Sequence, residues 1–177
     1  TGPTGSGKTT TLYGALSELN EPGKKIITAE DPVEYRLPRV NQVQVNPKIN
    51  LDFSKILRTF LRQDPDIILV GEMRDQETVE IGLRAALTGH LVLSTLHTND
   101  AVDSALRMMD MGAPGYLVAS AVRAVVAQRL VRKVCPDCKT DHHLEDSHRQ
   151  WLLQRFPNQV EANFVRGRGC QNCNLTG

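Results

Sequence analysis

The run Gly2-Pro3-Thr4-Gly5-Ser6-Gly7-Lys8-Thr9 constrains this chain more than any other stretch, because it fills every position of the pattern G-x-x-x-x-G-K-[ST]. Glycines let consecutive backbone N–H groups turn inward around phosphate oxygens, a conformation that side chains would obstruct. Lys8 is placed to reach the β- and γ-phosphates of a nucleoside triphosphate, and the Thr9 hydroxyl to hold Mg²⁺. Leu12, Ala15, Leu16 and Leu19 follow at helical spacing. The loop therefore opens a helix whose positive N-terminal end faces the phosphates. Gly2 to Thr9, together with Thr10, form the candidate nucleotide-binding segment.

A phosphate loop of this kind normally follows a buried strand, and none precedes it here. The other end stops at Asn174-Leu175-Thr176-Gly177, shortly after a cysteine pair. Both ends are expected to be cuts through a longer protein. The 177 residues suffice for one domain core and a small satellite. Formal net charge is +1 and aromatic content 5%, so neither a basic channel nor a set of stacking rings argues for nucleic acid as a partner. No apolar run approaches the roughly 20 residues of a membrane span.

Short apolar, β-rich runs alternate with helical periodicity, the pattern of an α/β domain around a largely parallel sheet. Strands are expected at 25–28, at Ile67-Ile68-Leu69-Val70 and at Leu91-Val92-Leu93-Ser94, the last two buried. An edge hairpin is expected between Tyr35 and Asn46. Helices are expected from Phe53 to Leu61 with Asp52 as N-cap, after Asp75, from Ala101 to Met109 and from Leu117 to Val131. Polar residues cluster just past the strands, where open parallel sheets bind ligands.

The run Ile67–Val70, Gly71, Glu72 delivers a carboxylate to a strand tip, where hydrolysis needs one to hold the Mg²⁺ shell or orient water. Asp is the usual residue; Glu72, one position later, spans the added distance. An exposed Glu in a strand-to-helix turn is the plainer reading. Glu30, Asp31 and Glu34 crowd a second expected strand tip, and such crowding needs cations or hydrogen bonds to compensate it. Glu30 or Glu34 could polarise water there, with Asp31 anchoring the loop; a solvated acidic turn reads equally well. His97 follows the 91–94 strand, and its role is not decided by spacing. Arg58 and Arg62 lie four residues apart, as a solvated helix face or as arginines reaching a neighbouring copy's phosphate.

Cys135-Pro136-Asp137-Cys138 and Cys170-Gln171-Asn172-Cys173 form two C-x-x-C knuckles. Each knuckle offers two thiolates to one tetrahedral ion, for which Zn²⁺ is the usual metal. Redox pairs are the alternative; two matched pairs bracketing a polar segment favour the metal. The intervening loop is long enough to carry its own helix near Trp151 and Leu152. The expected division is a core over 1–132 and a tetracysteine module over 133–177.

Taken together, these blocks resemble the secretion and pilus-assembly ATPases of the GspE/PulE/PilB type. The blocks are the phosphate loop Gly2–Thr9, the acidic box Ile27–Tyr35, the strand-and-carboxylate run Asp66–Asp75, and the segments Thr88–Leu91 and Leu96–Asn99. The resemblance implies a RecA-like P-loop NTPase core with a C-terminal zinc module, and ATP, Mg²⁺ and structural Zn²⁺ as cofactors. It further implies a homo-hexameric cytoplasmic ring, held at the inner membrane through a platform protein, that drives pilus assembly or type II secretion. Glu30 and Glu72 become catalytic and Mg²⁺-linked candidates, His97 a γ-phosphate contact, and Arg58 and Arg62 nucleotide or interface contacts. The stretch Met109–Tyr116 is most similar to the mannose-sensitive-haemagglutinin pilus branch, while pilus-retraction motors share the core and generally lack the tetracysteine module.

Overall fold

Two fully buried runs, Ile26–Glu30 (β1) and Ile67–Val70 (β3), form the centre of the main sheet. Strands covered on both faces are continuous apolar sequences rather than alternating ones, as Ile67-Ile68-Leu69-Val70 is. The computed structural model describes residues 1–157 and 163–177. They fall into two units, Thr1–Leu130 and Val131–Gly177.

In the first unit the strand order is β2-β1-β3-β4, with β2 at Val40–Gln44 and β4 at Leu91–Ser94. Every pairing is parallel, with Ile26 opposite both Val40 and Ile67, and Ile67 opposite Leu91. Helix α1 (Lys8–Leu19) covers one face, where Tyr13 and Leu16 pack with Ile26, Ile67 and Leu69. Alternate residues Ile27, Ala29, Ile68 and Val70 face the other way, against Phe53, Ile56, Leu57 and Phe60 of α2 (Phe53–Phe60). That alternation is the period-two geometry of a strand, and it makes the unit a layered α/β structure. Leu57 has no solvent exposure, so truncating it to Ala would cost about 2–5 kcal/mol.

Helix α3 (Gln76–Leu87) carries a second apolar cluster, in which Val79 and Leu83 meet Met108 of α4 (Ala101–Asp110) and Leu117 of α5 (Gly115–Ala121). Three of these helices start at an aspartate whose carboxylate accepts a backbone N–H of the first turn. The pairs are Asp52 with Lys55 (2.8 Å), Asp75 with Thr78 (2.9 Å) and Asp100 with Asp103 (2.8 Å).

Four sequence expectations need correction. The segment Tyr35–Asn46 is not a hairpin, because its one strand runs parallel to β1 and a turn with Arg39 at φ 60° precedes it. Strand β4 is not buried like β3: among the described residues it is a sheet edge, and Leu91 is 44% exposed. The helix expected to run from Leu117 to Val131 stops at Ala121, where Val122 turns to extended angles, and residues 123–130 form neither helix nor strand. Valine at 122, 125 and 126 suits extended backbone, and the segment hydrogen-bonds to Thr1 at both Val126 O (2.6 Å) and Gln128 N (2.9 Å). Arg62 lies in the turn after α2 rather than on the helix with Arg58.

In the second unit, β5 (Lys139–Asp141) and β6 (Val165–Gly167) pair antiparallel. Helix α6 (Asp146–Arg155) carries Trp151 as expected, with the Arg155 guanidinium 4.4 Å from the indole centroid.

Candidate functional site

The phosphate loop lies on the mouth of a cleft of about 700 Å³ beyond the carboxyl ends of β1, β3 and β4. Gly5 and Gly7 have φ of 77° and 81°, in the left-handed region that favours glycine. A Cβ on Gly2 would fall 2.6 Å from Ser6 Oγ and 2.5 Å from the Gln128 carbonyl oxygen, so the loop closes only around glycine. Lys8 Nζ donates to the carbonyls of Gly2 (2.7 Å) and Pro3 (3.1 Å), which puts its ammonium over the crown of the loop. Ser6 Oγ is buried and has no partner among the described residues. A glycine cradle, a positioned ammonium and the exposed Thr9 at the start of α1 fit a Mg²⁺-bound triphosphate in donor type and placement.

Beyond β3 the backbone continues in a sheet-like way, with Gly71 N–H donating to Ala29 O (2.7 Å) and Met73 N–H to Thr95 O (3.1 Å). The Thr95 hydroxyl donates to Gly71 O at 2.7 Å. These bonds hold Glu72 on a braced turn that lines the cleft. One Glu72 oxygen accepts from Arg74 Nη2, and the other lies 3.6 Å from His97 Nε2. Arg74 Nη1 also reaches Asp31 at 3.5 Å. Asp31, Arg74, Glu72 and His97 therefore form one chain of contacts across the tips of three strands. Arg74 is the member that sequence reasoning passed over; it stands two residues after the carboxylate, but nothing in the pattern identifies its partner.

Glu30 stands at the tip of β1 and lines the cleft, but it is buried rather than solvated. It is the last residue of β1, 3% exposed, with hydrogen bonds to both carboxylate oxygens. Tyr13 donates to Oε2, while the Thr28 hydroxyl and Gln42 Nε2 (3.1 Å) donate to Oε1. The Tyr13 oxygen in turn accepts the Glu34 backbone N–H at 3.3 Å, and its ring meets Tyr35 edge-on with centroids 4.7 Å apart. Burial, then the bond to Glu30, pushes the Tyr13 phenol up to about 12. Tyr13 and Gln42 were missed because each belongs to a different element, and each alone looks like a core aromatic or an edge amide.

Arg58 and Arg62 do not line this cleft. Arg58 pairs with Glu77 of α3 at 2.5 Å and holds that carboxyl below the usual range. Arg62 makes no ion pair among the described residues. His90 immediately precedes β4, at the end of that strand away from His97, with Nδ1 2.9 Å from Ala85 O.

In the second unit the four sulfurs of Cys135, Cys138, Cys170 and Cys173 lie within 4.8 Å of one another. Sγ separations are 3.9 Å for 135–170, 3.9 Å for 138–173 and 3.7 Å for 170–173. A tetrahedral ion with Zn–S bonds of about 2.3 Å sets its sulfurs about 3.8 Å apart, whereas a disulfide needs about 2.05 Å. The backbone N–H groups of Cys170 and Gly177 both donate to Cys173 Sγ at 3.2 Å, and bring that thiol down to about 6. Desolvation pushes Cys138 up to about 11. The donor set and spacing fit a closed four-thiolate zinc site.

The sequence matches the family of type II/IV secretion system proteins over residues 1–177. This chain belongs to that family. It is 51% identical to type II secretion system protein E of Aeromonas hydrophila, across all of this chain and 35% of that protein. It is 52% identical to the type IV pilus assembly ATPase PilB of Myxococcus xanthus, across all of this chain and 31% of that protein. The chain thus spans about a third of the length of these relatives. Its fold is similar to the ADP-bound pilus retraction motor PilT, with TM-score 0.68 and 44% identity over 74% of this chain and 41% of that one. The α/β fold with its parallel sheet is therefore the fold of this family's ATPases. No helix among the described residues is long and apolar enough to cross a membrane.

Proposed function

We propose that this chain is the ATP-hydrolysing core of a motor for type IV pilus assembly or type II secretion. The observation that carries the reading is the convergence of the Gly2–Thr9 loop and the Glu72–His97 pair on one cleft. The loop N–H groups and Lys8 would hold the β- and γ-phosphates, and the Thr9 hydroxyl and Glu72 the Mg²⁺. Bound ATP·Mg²⁺ supplies the transferable phosphoryl group and the charge that neutralises it. Glu72 orients the attacking water or the metal's water shell, with Arg74 and His97 fixing its two oxygens. His97 stands where a γ-phosphate contact is needed. Glu30, which also lines the cleft, is the second catalytic carboxylate, and through Tyr13 it holds the Glu34 turn against α1. Arg62, and Arg58 on release from Glu77, would contact a second copy of the chain rather than this cleft.

Assembly or secretion is favoured over retraction by the tetracysteine cluster and by similarity, across the whole of this chain, to proteins of the first two kinds. Similarity to the retraction motor covers 74% of the chain, close to the share of the first unit. Retraction is the second reading, carried by the 44% identity in that core. The proposal extends to a homo-hexameric ring in the cytoplasm acting on an inner-membrane platform protein, with the mannose-sensitive-haemagglutinin branch as the finer assignment. A nucleic-acid translocating motor is the weaker alternative, given the net charge of +1.

Steady-state ATP turnover of the longer protein that contains this chain tests the core of the proposal. Lys8→Ala should reduce kcat by about two to three orders of magnitude, the usual loss for one transition-state contact. Turnover close to that of the parent would refute it, and stimulation by single-stranded DNA would revive the nucleic-acid motor.

A further inference from the structure

The non-helical segment after α5 brings into the phosphate loop one side chain that no motif claims. Gln128 lies 122 residues from Ser6 in sequence, yet its Nε2 donates to the Ser6 carbonyl at 2.7 Å. Its Oε1 accepts the Thr11 hydroxyl hydrogen at 2.7 Å. The backbone of the same residue is fixed as well: its N–H donates to Thr1 O at 2.9 Å, and its carbonyl accepts from Arg129 Nη1 at 2.9 Å. Arg129 Nη2 reaches on to the Asn99 carbonyl at 2.5 Å. Both ends of the Gln128 amide are thus committed, and the main chain that carries it is pinned.

The consequence follows from peptide geometry. In a planar trans peptide the C=O and N–H point in opposite directions. Holding the Ser6 carbonyl toward Gln128 turns the Gly7 N–H the other way, and that N–H donates to no other group among the described residues. Such outward-turned loop N–H groups are what a phosphate loop offers its ligand. The second bond, to Thr11, reaches the first turn of α1, where Thr11 N–H already donates to Gly7 O at 3.0 Å. One side chain therefore ties the crown of the loop to the helix end that follows it.

Gly7 records the same packing. A Cβ there would lie 2.9 Å from Gln128 Nε2 and 3.6 Å from Leu130 Cδ2, so the space beside Gly7 is filled from this segment. Leu130 lines the cleft, and Gln128 does not.

We infer that Gln128 is a positioning residue for the nucleotide, one that sets the direction of the loop N–H groups without touching the ligand. The inference rests on the nucleotide-site reading above. Loss of the amide leaves Lys8, Thr9 and Glu72 intact but lets the Ser6–Gly7 peptide rotate, so binding weakens more than the chemical step.

The test compares Gln128→Ala, Gln128→Glu, Thr11→Ala and the Gln128→Ala/Thr11→Ala double variant in the longer parent protein. ADP affinity, KM and kcat for ATP, and the unfolding midpoint are measured for each. Gln128→Ala should raise the ADP Kd and the ATP KM about three- to tenfold, the weight of one or two hydrogen bonds, with kcat changed less. Gln128→Glu keeps the acceptor for Thr11 but loses the donor to Ser6, so it should resemble Gln128→Ala rather than the parent. Thr11→Ala should cost about two- to fivefold alone and nothing further in the double variant. Parental Kd and KM in Gln128→Ala, or additive effects in the double variant, would overturn the inference. If Gln128→Ala does not fold, the milder Thr11→Ala decides, and an unchanged Kd there overturns it. A parent that neither binds nor hydrolyses ATP would instead refute the nucleotide reading itself.

Discussion

Tyr13 of α1 donates its phenolic hydrogen bond to Glu30 of β1, joining the helix behind the phosphate loop to the strand before the acidic turn. Tyr13 is 1% exposed and Glu30 3%, so neither group can turn to solvent instead. The same phenol oxygen accepts the Glu34 backbone N–H. The phenol hydroxyl thus links the loop helix both to the β1 tip and to the Glu34 turn, beside the Tyr13–Tyr35 ring contact.

Removing that hydroxyl is a sharp perturbation. Tyr13→Phe keeps the ring in contact with Leu16, Ile26 and Leu69 but leaves a buried carboxylate oxygen without its donor. A loss of about 1–3 kcal/mol in unfolding free energy is expected from urea denaturation. Turnover should also fall, because the Glu34 N–H loses its acceptor on α1. Parental stability and kcat together would contradict the arrangement.

The same contact predicts a pH response. The folded phenol titrates at about 12, above the ordinary value of 10. A raised folded-state value means that the native protein holds this proton more tightly than the unfolded chain does. The resulting stability is complete below pH 10 and is lost as the pH rises toward 12. The stability advantage of the parent over Tyr13→Phe should therefore shrink across that interval. Phenolate absorbance should resolve one late-titrating tyrosine among the three in the chain. Three tyrosines titrating together near pH 10 would rule it out.

The parts of the site that one local stretch encodes are legible in the sequence. Gly2–Thr9 defines a loop, and the apolar run 67–70 defines a buried strand that leads to Glu72. Asp52 and Asp75 cap the helices expected of them because N-capping depends only on neighbouring residues. The Tyr13–Glu30–Gln42 cluster and the Arg74 bridge are not legible, since each unites residues from different elements. Residues 122–130 failed for a related reason: helical periodicity there competes with a backbone pairing to Thr1, which sequence spacing does not encode. Buried strand and exposed edge likewise looked alike in Leu91–Ser94, because periodicity does not reveal which neighbours a strand has.

Glu72 offers a separation of binding from chemistry. Glu72→Gln keeps the shape and a carbonyl acceptor for Arg74, but removes the charge that positions Mg²⁺ or water. ATP binding should persist while kcat falls about 10²–10³-fold. Arg74→Lys should be a milder variant of the same kind. A lysine cannot bridge Asp31 and Glu72 as the planar guanidinium does, so kcat should drop with little change in nucleotide affinity. Unchanged kcat in both variants would remove Glu72 from the reaction.

The tetracysteine cluster predicts one zinc ion per chain in protein purified under reducing conditions. Three of its sulfur separations, 3.7–3.9 Å, already match a tetrahedral ion, and all four sulfurs lie within 4.8 Å, so metal binding needs little rearrangement of the thiols. The surrounding unit has little apolar core of its own: among its described residues only Cys135 is buried. Metal binding must then supply much of its order, and structural zinc sites contribute apparent free energies of about 10–16 kcal/mol. Chelation should raise amide hydrogen exchange around Cys135–Asp141 and Val165–Cys173, and leave β1 and β3 protected by their own packing. Serine at any one of the four cysteines should give the same local loosening with weaker zinc retention. Four freely titrating thiols and no zinc, in protein whose second unit is nonetheless well protected, would show that the cluster is held by its backbone alone.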